Sequence, residues 1–184
     1  MPRDPAPFSL RPARPEDGPA VAAIWNPIIR DTEITFTTEE RTPEGLARSF
    51  AEKAAADHPF LLACAPDGTC LGFATYGQFR AGPGYARSME HTIILGPDGR
   101  GRGVGRALMA ALEAHAAARA VHLLIGGISA GNASGLGFHA ALGFVEIARL
   151  REVGWKNGRF HDLVLMAKTP APGPLVHDSK APLG

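Results

Sequence analysis

Residues 100–106 read Arg-Gly-Arg-Gly-Val-Gly-Arg, and they lie between an apolar run at residues 93–95 and a stretch of helical periodicity that begins near Ala107. Glycines let the backbone turn tightly and expose its N–H groups. The first turn of a helix adds unpaired N–H donors at the positive end of the helix dipole, and arginine guanidinium groups bind phosphate oxygens in pairs. The order of strand, glycine-rich loop and helix therefore predicts a phosphate-binding site.

A second interpretation of these residues is an ordinary arginine-bearing turn that precedes a surface helix. In either case a helix is expected after the loop, because apolar residues recur there at helical spacing. These residues are Ala107, Leu108, Ala111 and Leu112, with His115 in the same series. The spacing Arg100-x-x-Gly103-x-Gly105 matches neither the Walker loop, which ends in Lys and Ser or Thr, nor the Gly-x-Gly-x-x-Gly dinucleotide fingerprint.

The overall composition is that of one compact globular domain. The chain has 184 residues, of which 45% are hydrophobic, and this is enough for a proper core. Residues 8–168 are expected to form the single domain, between a short N-terminal tail at residues 1–7 and a proline-rich C-terminal tail at residues 169–184. The formal net charge of +1 gives no global basic surface, so a nucleic-acid partner is not expected.

The compartment is expected to be the reduced cytoplasm. No apolar run is long enough to span a bilayer, and no secretory leader is visible, so contact with a membrane is not expected. The two cysteines, Cys64 and Cys70, have no matching cluster of histidine or cysteine nearby. Neither a metal site nor redox chemistry is therefore expected at the thiols.

Apolar periodicity predicts a mixed sheet with helices on its faces, an α/β or α+β sandwich. Helices are predicted at residues 16–29, 43–56 and 132–142 and directly after the glycine loop, and strands at residues 8–11, 60–65, 70–76, 89–95, 122–128, 147–156 and 159–166. Pro27 should bend or end the first helix, and Thr42 should cap the second. Asn157-Gly158, between the last two strands, is a strong hairpin signal.

The order of these predicted elements, together with Ala141-Leu142-Gly143-Phe144 after the last helix, resembles the GNAT superfamily of N-acetyltransferases from end to end. Further motifs are similar to those of the phosphinothricin and methionine sulfoximine N-acetyltransferases. They are Trp25-Asn26 with Thr35-Phe36, Tyr76-Gly77-x-Phe79-Arg80, Glu90-His91-Thr92, Asn132, His139 and the closing run at residues 154–162. The resemblance implies the α/β (α+β) acyl-CoA N-acyltransferase fold, in which a mixed, mostly antiparallel central sheet splays at the cofactor site and carries helices on both faces.

The resemblance also implies acetyl-CoA as the co-substrate, and no metal. Backbone groups of Ile93, Ile94 and Leu95 would bind the pantetheine arm as a neighbouring strand would. The pyrophosphate would lie on the glycine loop, in contact with Arg100, Gly101, Arg102, Gly103, Val104, Gly105 and Arg106. Asn132 would be a further cofactor contact. Its spacing alone fits a helix N-cap equally well, and the two roles are compatible.

Acetyl transfer to an amine requires a neutral nucleophile, a stabilised oxyanion and a proton for the leaving thiolate. The resemblance assigns the general base to Glu90, acting through a water, and the proton donor to His139. The oxyanion contact would be the backbone N–H of Leu95. The residues alone leave alternatives open, because Glu90 could be a solvated carboxylate at a strand end and His139 could simply fill a helix face.

A small amino-acid-like substrate also needs a partner for its carboxylate, and Arg80 is the candidate. Where the resembled family carries a second arginine, this chain has Gly82, a departure from the pattern at the substrate site. Phe36 and Tyr85 are candidate walls of the pocket, although either could belong to the core. His161 and Asp162 are expected near the site or at the interface of a homodimer, which only the resemblance implies, or on a plain polar strand face.

The predicted function is transfer of the acetyl group of acetyl-CoA to the amine of a small molecule, of the phosphinothricin, methionine sulfoximine or methionine sulfone type. The amine would attack directly, without a covalent enzyme intermediate. Two alternatives stay open. A GNAT enzyme that acts on protein N-termini or lysines would need an open peptide groove, and a catalytically silent acyl-CoA-binding sensor would show no turnover.

Overall fold

The computed structural model describes residues 7–170. Within them the elements are β1 (Ser9–Pro12), α1 (Gly18–Asp31), α2 (Pro43–Ala55), β2 (Phe60–Cys64), β3 (Cys70–Gln78), β4 (Ser88–Leu95), α3 (Val104–Ala118), β5 (Leu123–Ser129), α4 (Ala133–Ala141), β6 (Val145–Lys156) and β7 (Arg159–Lys168). Residues 1–6 and 171–184, which make up nearly all of the two predicted tails, lie outside the described residues.

The seven strands form one sheet in the order β1-β2-β3-β4-β5-β7-β6. Every neighbouring pair is antiparallel except β4 and β5, which are parallel. This parallel pair is joined only from Ser88 opposite Leu123 to His91 opposite Gly126, although both strands continue beyond that point. The two strands therefore separate and leave a slot in the middle of the sheet, which confirms the predicted splayed, mostly antiparallel architecture.

Both faces of the sheet are covered by helices, as predicted. Successive residues of a strand point to opposite faces, so the neighbours Leu62 and Ala63 belong to different clusters of buried side chains. Leu62 packs in the cluster that contains Phe50 of α2, whereas Ala63 packs in the cluster that contains Leu108 and Leu112 of α3. Burial of a leucine side chain stabilises a fold by about 2 kcal/mol. The two clusters thus anchor the strands that carry the site.

Two helix boundaries differ from the prediction. α1 continues past Pro27 and beyond the predicted end at residue 29 to Asp31, because the loss of one helical hydrogen bond at the exposed proline is offset by complete burial of Ile29 in the next turn. α3 begins at Val104 and not near Ala107, so residues 104–106 of the glycine loop are already the first helical turn. None of the helices within residues 7–170 is long and apolar enough to cross a membrane.

Candidate active site

A cavity of about 770 Å³ opens where β4 and β5 separate. Its walls come from the diverging halves of the two strands, from α1 and the loop that follows it, and from the start of α4. The glycine loop lies at one end of the cavity, where it contributes Arg100 and Gly101. Glu90 and Phe36 also line the cavity. Residues distant in sequence are therefore brought to one slot.

The glycine loop has the backbone shape of an anion site. Gly103, the N-cap residue of α3, has a φ of 78°, a left-handed conformation that favours glycine. The N–H groups of residues 104–106 follow it, and the first turn of a helix provides no backbone acceptor for them. Arg102 donates from Nη1 to the carbonyl oxygen of Asp98 at 2.9 Å, and this hydrogen bond connects the loop to the residues that precede it. These features suit the loop to bind a phosphate.

The edge of β4 that faces the slot is available for an extended ligand. β4 pairs with β3 as far as Gly72 opposite Leu95, but with β5 only as far as His91. Because backbone groups of a strand alternate between its two neighbours, half of those at residues 92–95 face the slot without a partner on β5. Ile93, Ile94 and Leu95 all line the cavity.

Glu90 extends from β4 into the cavity on the same side as β5. Its Oε1 lies 3.0 Å from the position that a Cβ on Gly127 would occupy, so the carboxylate lies beside the backbone of β5 near the point where the two strands separate. Partial removal from water raises the pKa of Glu90 above its ordinary value, and the nearby guanidinium of Arg80 lowers it in turn. A carboxyl group with a raised pKa is a better proton acceptor than an ordinary glutamate.

His139 of α4 forms a buried pair with His91 of β4. The two Nε2 atoms lie 2.9 Å apart, and His139 Nδ1 lies 2.7 Å from the carbonyl oxygen of Gly135. A carbonyl oxygen can only accept, so His139 Nδ1 carries the proton and donates it to Gly135. In the neutral ring, His139 Nε2 then carries no proton, and its lone pair accepts a hydrogen bond from the N–H at Nε2 of His91. The hydrogen bonds fix one tautomer of each ring.

Burial keeps this pair uncharged. It lowers the pKa of His139 below its ordinary value, and burial together with the adjacent His139 lowers the pKa of His91 to about 3. The rings have room because residue 126 is glycine, where a Cβ would lie 2.9 Å from Cε1 of His91. His139 also packs edge-on against Phe138 and Phe144. Both the helix-face interpretation and a place in the cavity wall therefore hold for His139.

Asn132 is the N-cap of α4, which confirms one of its two predicted roles. Its Oδ1 accepts the N–H of Gly135 at 2.9 Å and the hydroxyl of Ser134 at 3.0 Å. The residue also lines the cavity, so a cofactor contact through its amide remains a prediction.

Two predicted substrate residues lie outside the cavity wall. Arg80 is exposed, with its guanidinium 5.2 Å from the centre of the Phe79 ring, and Tyr85 is 45% exposed in the segment between β3 and β4. Neither is among the residues that line the cavity. Gly82 between them has a φ of 103° and open space around it. The roles of Arg80 and Tyr85 stay predictions.

The cavity has another arginine, which sequence reasoning missed. Arg41 lines its wall, with the guanidinium 4.9 Å above the ring of Trp25. The side chain of Asn26 holds the Arg41 backbone on both sides, with Oδ1 accepting its N–H at 2.8 Å and Nδ2 donating to its carbonyl at 3.0 Å. The Trp25-Asn26 motif, whose side chains contact Arg41, was the sequence feature that could have indicated it. Within residues 7–170 no three His, Cys, Asp or Glu side chains cluster as metal ligands.

This geometry defines a class of protein: a transferase in which a splayed parallel strand pair leads into a phosphate-binding helix terminus. The sequence profile of the acetyltransferase (GNAT) family matches residues 25–144, nearly two thirds of the chain. The chain therefore belongs to the GNAT family and is an N-acetyltransferase. The predicted family, fold and enzyme class are confirmed.

Individual relatives match most of the chain. It is 35% identical to an L-methionine sulfoximine/L-methionine sulfone acetyltransferase from Pseudomonas aeruginosa, over 86% of this chain and 92% of that protein. It is 37% identical to a phosphinothricin N-acetyltransferase from Streptomyces coelicolor, over 86% and 94%. The crystal structure of a GNAT superfamily phosphinothricin acetyltransferase from Sinorhizobium meliloti in complex with AcCoA superposes with a TM-score of 0.84 at 25% identity, covering 96% of this chain and 93% of that one.

Proposed function

We propose that the protein transfers the acetyl group of acetyl-CoA to the amine of a small amino-acid-like substrate, of the phosphinothricin, methionine sulfoximine or methionine sulfone type. The observation that carries the proposal is that one cavity is lined both by residues of the glycine loop and by Glu90, a carboxylate of raised pKa. The names of the Pseudomonas and Streptomyces relatives support this class of acceptor. The bound cofactor of the Sinorhizobium relative supports acetyl-CoA. Residues 8–168 would act as one domain.

Acetyl-CoA would bind along β4 with its pyrophosphate on the glycine loop. The N–H groups of residues 104–106 and the guanidinium groups around them would neutralise the phosphates. The free edge of residues 93–95 would hydrogen-bond the pantetheine arm, which places the thioester at the point where the strands separate. The amide of Asn132 would add a contact from the other wall.

Direct attack requires three proton and charge movements. Glu90 would take one proton from the substrate ammonium, through a water, so that the amine becomes a nucleophile. The amine would attack the thioester carbonyl, and the backbone N–H of Leu95 would stabilise the oxyanion. His139 begins neutral, with Nδ1 donating to Gly135 and Nε2 accepting from His91. Its Nε2 would accept the proton that the attacking nitrogen releases, in place of the His91 N–H, and would then give that proton to the departing thiolate. No metal takes part in these steps.

The acceptor also needs a cation for its carboxylate. Arg80 keeps this assignment from the sequence, and its proximity to Glu90 supports it. Arg41 is a second candidate, because its guanidinium lies in the cavity wall itself. Phe36 would form an apolar wall beside the substrate side chain, and Tyr85 would reach the site only if its segment closed inward.

We also infer a cytoplasmic homodimer with a small-molecule acceptor and with neither nucleic acid nor membrane as partner. Strand β6 lies at the edge of the sheet and, with the start of β7, presents exposed apolar side chains. They are Val145, Ile147, Leu150, Val153, Trp155 and Phe160. A surface of this kind commonly marks a protein interface. Both cysteines are free thiols, which suits a reducing compartment. Sedimentation of the purified protein tests the dimer.

The substrate class is tested by measuring thiol release from acetyl-CoA with phosphinothricin, methionine sulfoximine, methionine sulfone, the common amino acids and a peptide with a free N-terminus and a lysine. We expect turnover with the small analogues and little with the peptide. Turnover with the peptide alone would favour the protein-modifying alternative. The absence of turnover with every amine would refute the substrate assignment.

A Glu90→Gln variant separates an enzyme from a silent sensor. Loss of a general base lowers kcat on the order of 100-fold or more, whereas the affinity for acetyl-CoA should change by less than about twofold. Glu52→Gln, an exposed carboxylate on α2, is the matched control and should leave both values unchanged. If the wild-type protein binds acetyl-CoA without any turnover to lose, the sensor alternative is correct.

A further inference from the structure

The hairpin formed by β6 and β7 holds the loop that lines one side of the cavity. This loop, residues 32–37, directly follows α1 on the way to α2 and has no regular secondary structure. Four of its residues, 34–37, line the cavity. At its start the hydroxyl of Thr32 donates to the carbonyl oxygen of Ile28 at 2.7 Å and accepts the N–H of Ile34 at 3.2 Å. Because the loop has no helix or strand ladder, its remaining part depends on the groups that hold it from outside.

Lys156 of β6 makes the innermost of these contacts. Only 2% of the residue is exposed, and its Nζ donates to the carbonyl oxygens of Ile29 at 2.6 Å and Thr35 at 2.7 Å. The carbonyl of Ile29 belongs to the last turn of α1, where a helix supplies no N–H donor. One buried ammonium group therefore caps α1 and fixes the backbone immediately before Phe36.

The ring of Phe36 is held by the same hairpin. Gly154 lies directly against the ring, and a Cβ at that position would overlap its atoms. His161, opposite Gly154 on β7, stacks on the same ring with centroids 5.6 Å apart and planes 23° from parallel. His161 Nε2 donates in turn to the carbonyl oxygen of Lys156 at 3.0 Å. The aromatic wall of the cavity is thus set by three residues of the hairpin.

A fourth contact closes the outer end of the loop. Glu33 forms an ion pair with Arg159 beside the turn of the hairpin, where Nε of Arg159 lies 3.1 Å from Oε1. This pair is largely exposed and contributes little free energy by itself. The contact between Glu33 and Arg159 nevertheless adds a second attachment to the hairpin, so the hairpin holds the loop at Glu33 as well as at Thr35.

A lysine is an expensive residue to bury. Its burial lowers the pKa of Lys156, and the nearby Glu33 raises it only in part. A leucine or methionine would fill this space without removing an ammonium group from water, but it would leave the two carbonyl oxygens without donors. The role of Lys156 in the fold is therefore to donate hydrogen bonds to these two carbonyl oxygens.

We propose that Lys156 is a positioning residue for the amine acceptor: by tying Thr35 to the hairpin, it sets the place of Phe36 in the cavity and hence which amines fit. Lys156 does not line the cavity, so it acts on the substrate only through the 32–37 loop. The inference rests on the proposed function, since it assumes that Phe36 faces the acceptor. It gives the closing motif at residues 154–162 a role in substrate selection.

The test compares Lys156→Met with Lys168→Met in the full chain. Lys168 is a matched control because it lies on the same hairpin, pairs with Glu113 and does not line the cavity. In Lys156→Met we expect the KM for the amine to rise about tenfold or more, since small displacements of a substrate-positioning group are costly, while the KM for acetyl-CoA changes by less than about twofold. A merely less stable enzyme would lose active protein and kcat but keep both KM values.

A second variant covers failure of the first to fold. Gly154→Ala leaves Lys156 in place but forces the Phe36 ring to move, and it should raise the amine KM selectively in the same way. Unchanged amine KM in a folded variant, or an equal rise for both substrates, would overturn the proposal.

Hydrogen exchange gives a readout that does not depend on turnover. Backbone amides of residues 32–37 should exchange about tenfold faster in Lys156→Met than in Lys168→Met, with residues 97–106 unaffected. If the wild-type enzyme acetylates none of the amines yet this local change is seen, the proposed substrate class fails while the role of Lys156 in holding the 32–37 loop stands. Equal exchange in the two variants would overturn the positioning role.

Discussion

The neutrality of His91 should be measurable as a pH dependence of stability. Burial and the adjacent His139 lower the pKa of His91 to about 3, against 6.5 in a free side chain. Below pH 6.5 the unfolded chain therefore binds more protons than the folded protein. The free energy of unfolding must fall as the pH falls through this range, and the stabilisation is complete above it.

The expected magnitude follows from the two pKa values. Each pH unit below the unfolded pKa removes about 1.4 kcal/mol as long as the folded ring stays neutral. From about pH 7.5 to about pH 5, one such histidine removes about 2 kcal/mol of unfolding free energy. Any folded pKa below about 4 gives nearly the same figure, because the ring is still neutral at pH 5.

The assay is urea unfolding of the wild type, His91→Gln and His122→Gln at the two pH values. Glutamine keeps an amide donor toward His139 and does not titrate, and His122 is an exposed histidine that serves as the control. We expect His91→Gln to lose about 2 kcal/mol less on acidification than the other two proteins. His58 and His115, whose pKa values are also lowered and which do not contact the pair, contribute equally to all three. Equal acid losses in the three proteins would refute the buried neutral pair.

Two further predictions concern the ligand ends of the cavity. Alanine disfavours the left-handed backbone at residue 103 by about 1–2 kcal/mol. In Gly103→Ala the free loop should relax out of this conformation and bound acetyl-CoA would have to restore it, so the affinity should fall on the order of tenfold by calorimetry. Gly143→Ala, with a φ of 85° at a site remote from the loop, should lower stability but not this affinity. Arg41→Ala should raise the amine KM about tenfold, and more than Arg80→Ala does, because Arg41 lines the cavity. A decarboxylated amine should abolish the difference; if it persists, Arg41 does not bind the carboxylate.

Local signals in the sequence predicted most of the elements. Thr42 caps α2 by accepting the N–H of Gly45 at 3.1 Å, as its position before Pro43 indicated. Asn157 and Gly158 both have positive φ, as a tight hairpin turn requires. These features depend on a few adjacent residues, and the chemistry of those residues decides them. The separation of β4 and β5, in contrast, was expected only from the family resemblance.

Contacts between distant residues could not be predicted in this way. His91 and His139 are 48 positions apart, and Lys156 lies 127 positions from the carbonyl that it caps at Ile29. Periodicity can place each residue on a face, but it does not say which residue of another element lies opposite. Arg80 and Arg41 show the same limit, since both are plausible carboxylate partners by type and only the folded chain places Arg41 in the cavity wall.

The alternation of β4 explains how one strand carries both the proposed base, Glu90, and the partner of the proposed proton relay, since His91 holds His139 of α4. Glu90 and His91 are adjacent, so their side chains point to opposite faces of the sheet, and the slot between β4 and β5 is reached from both. Burial moves the pKa values of Glu90 and His139 toward each other, because it raises the pKa of a carboxylate and lowers the pKa of an imidazole. As the affinities of Glu90 and His139 for a proton become closer, moving protons between the amine, the side chains and the thiolate encounters smaller free-energy steps. In the proposed mechanism the splayed strand pair would therefore both admit the thioester and separate the proposed base from the proposed proton relay.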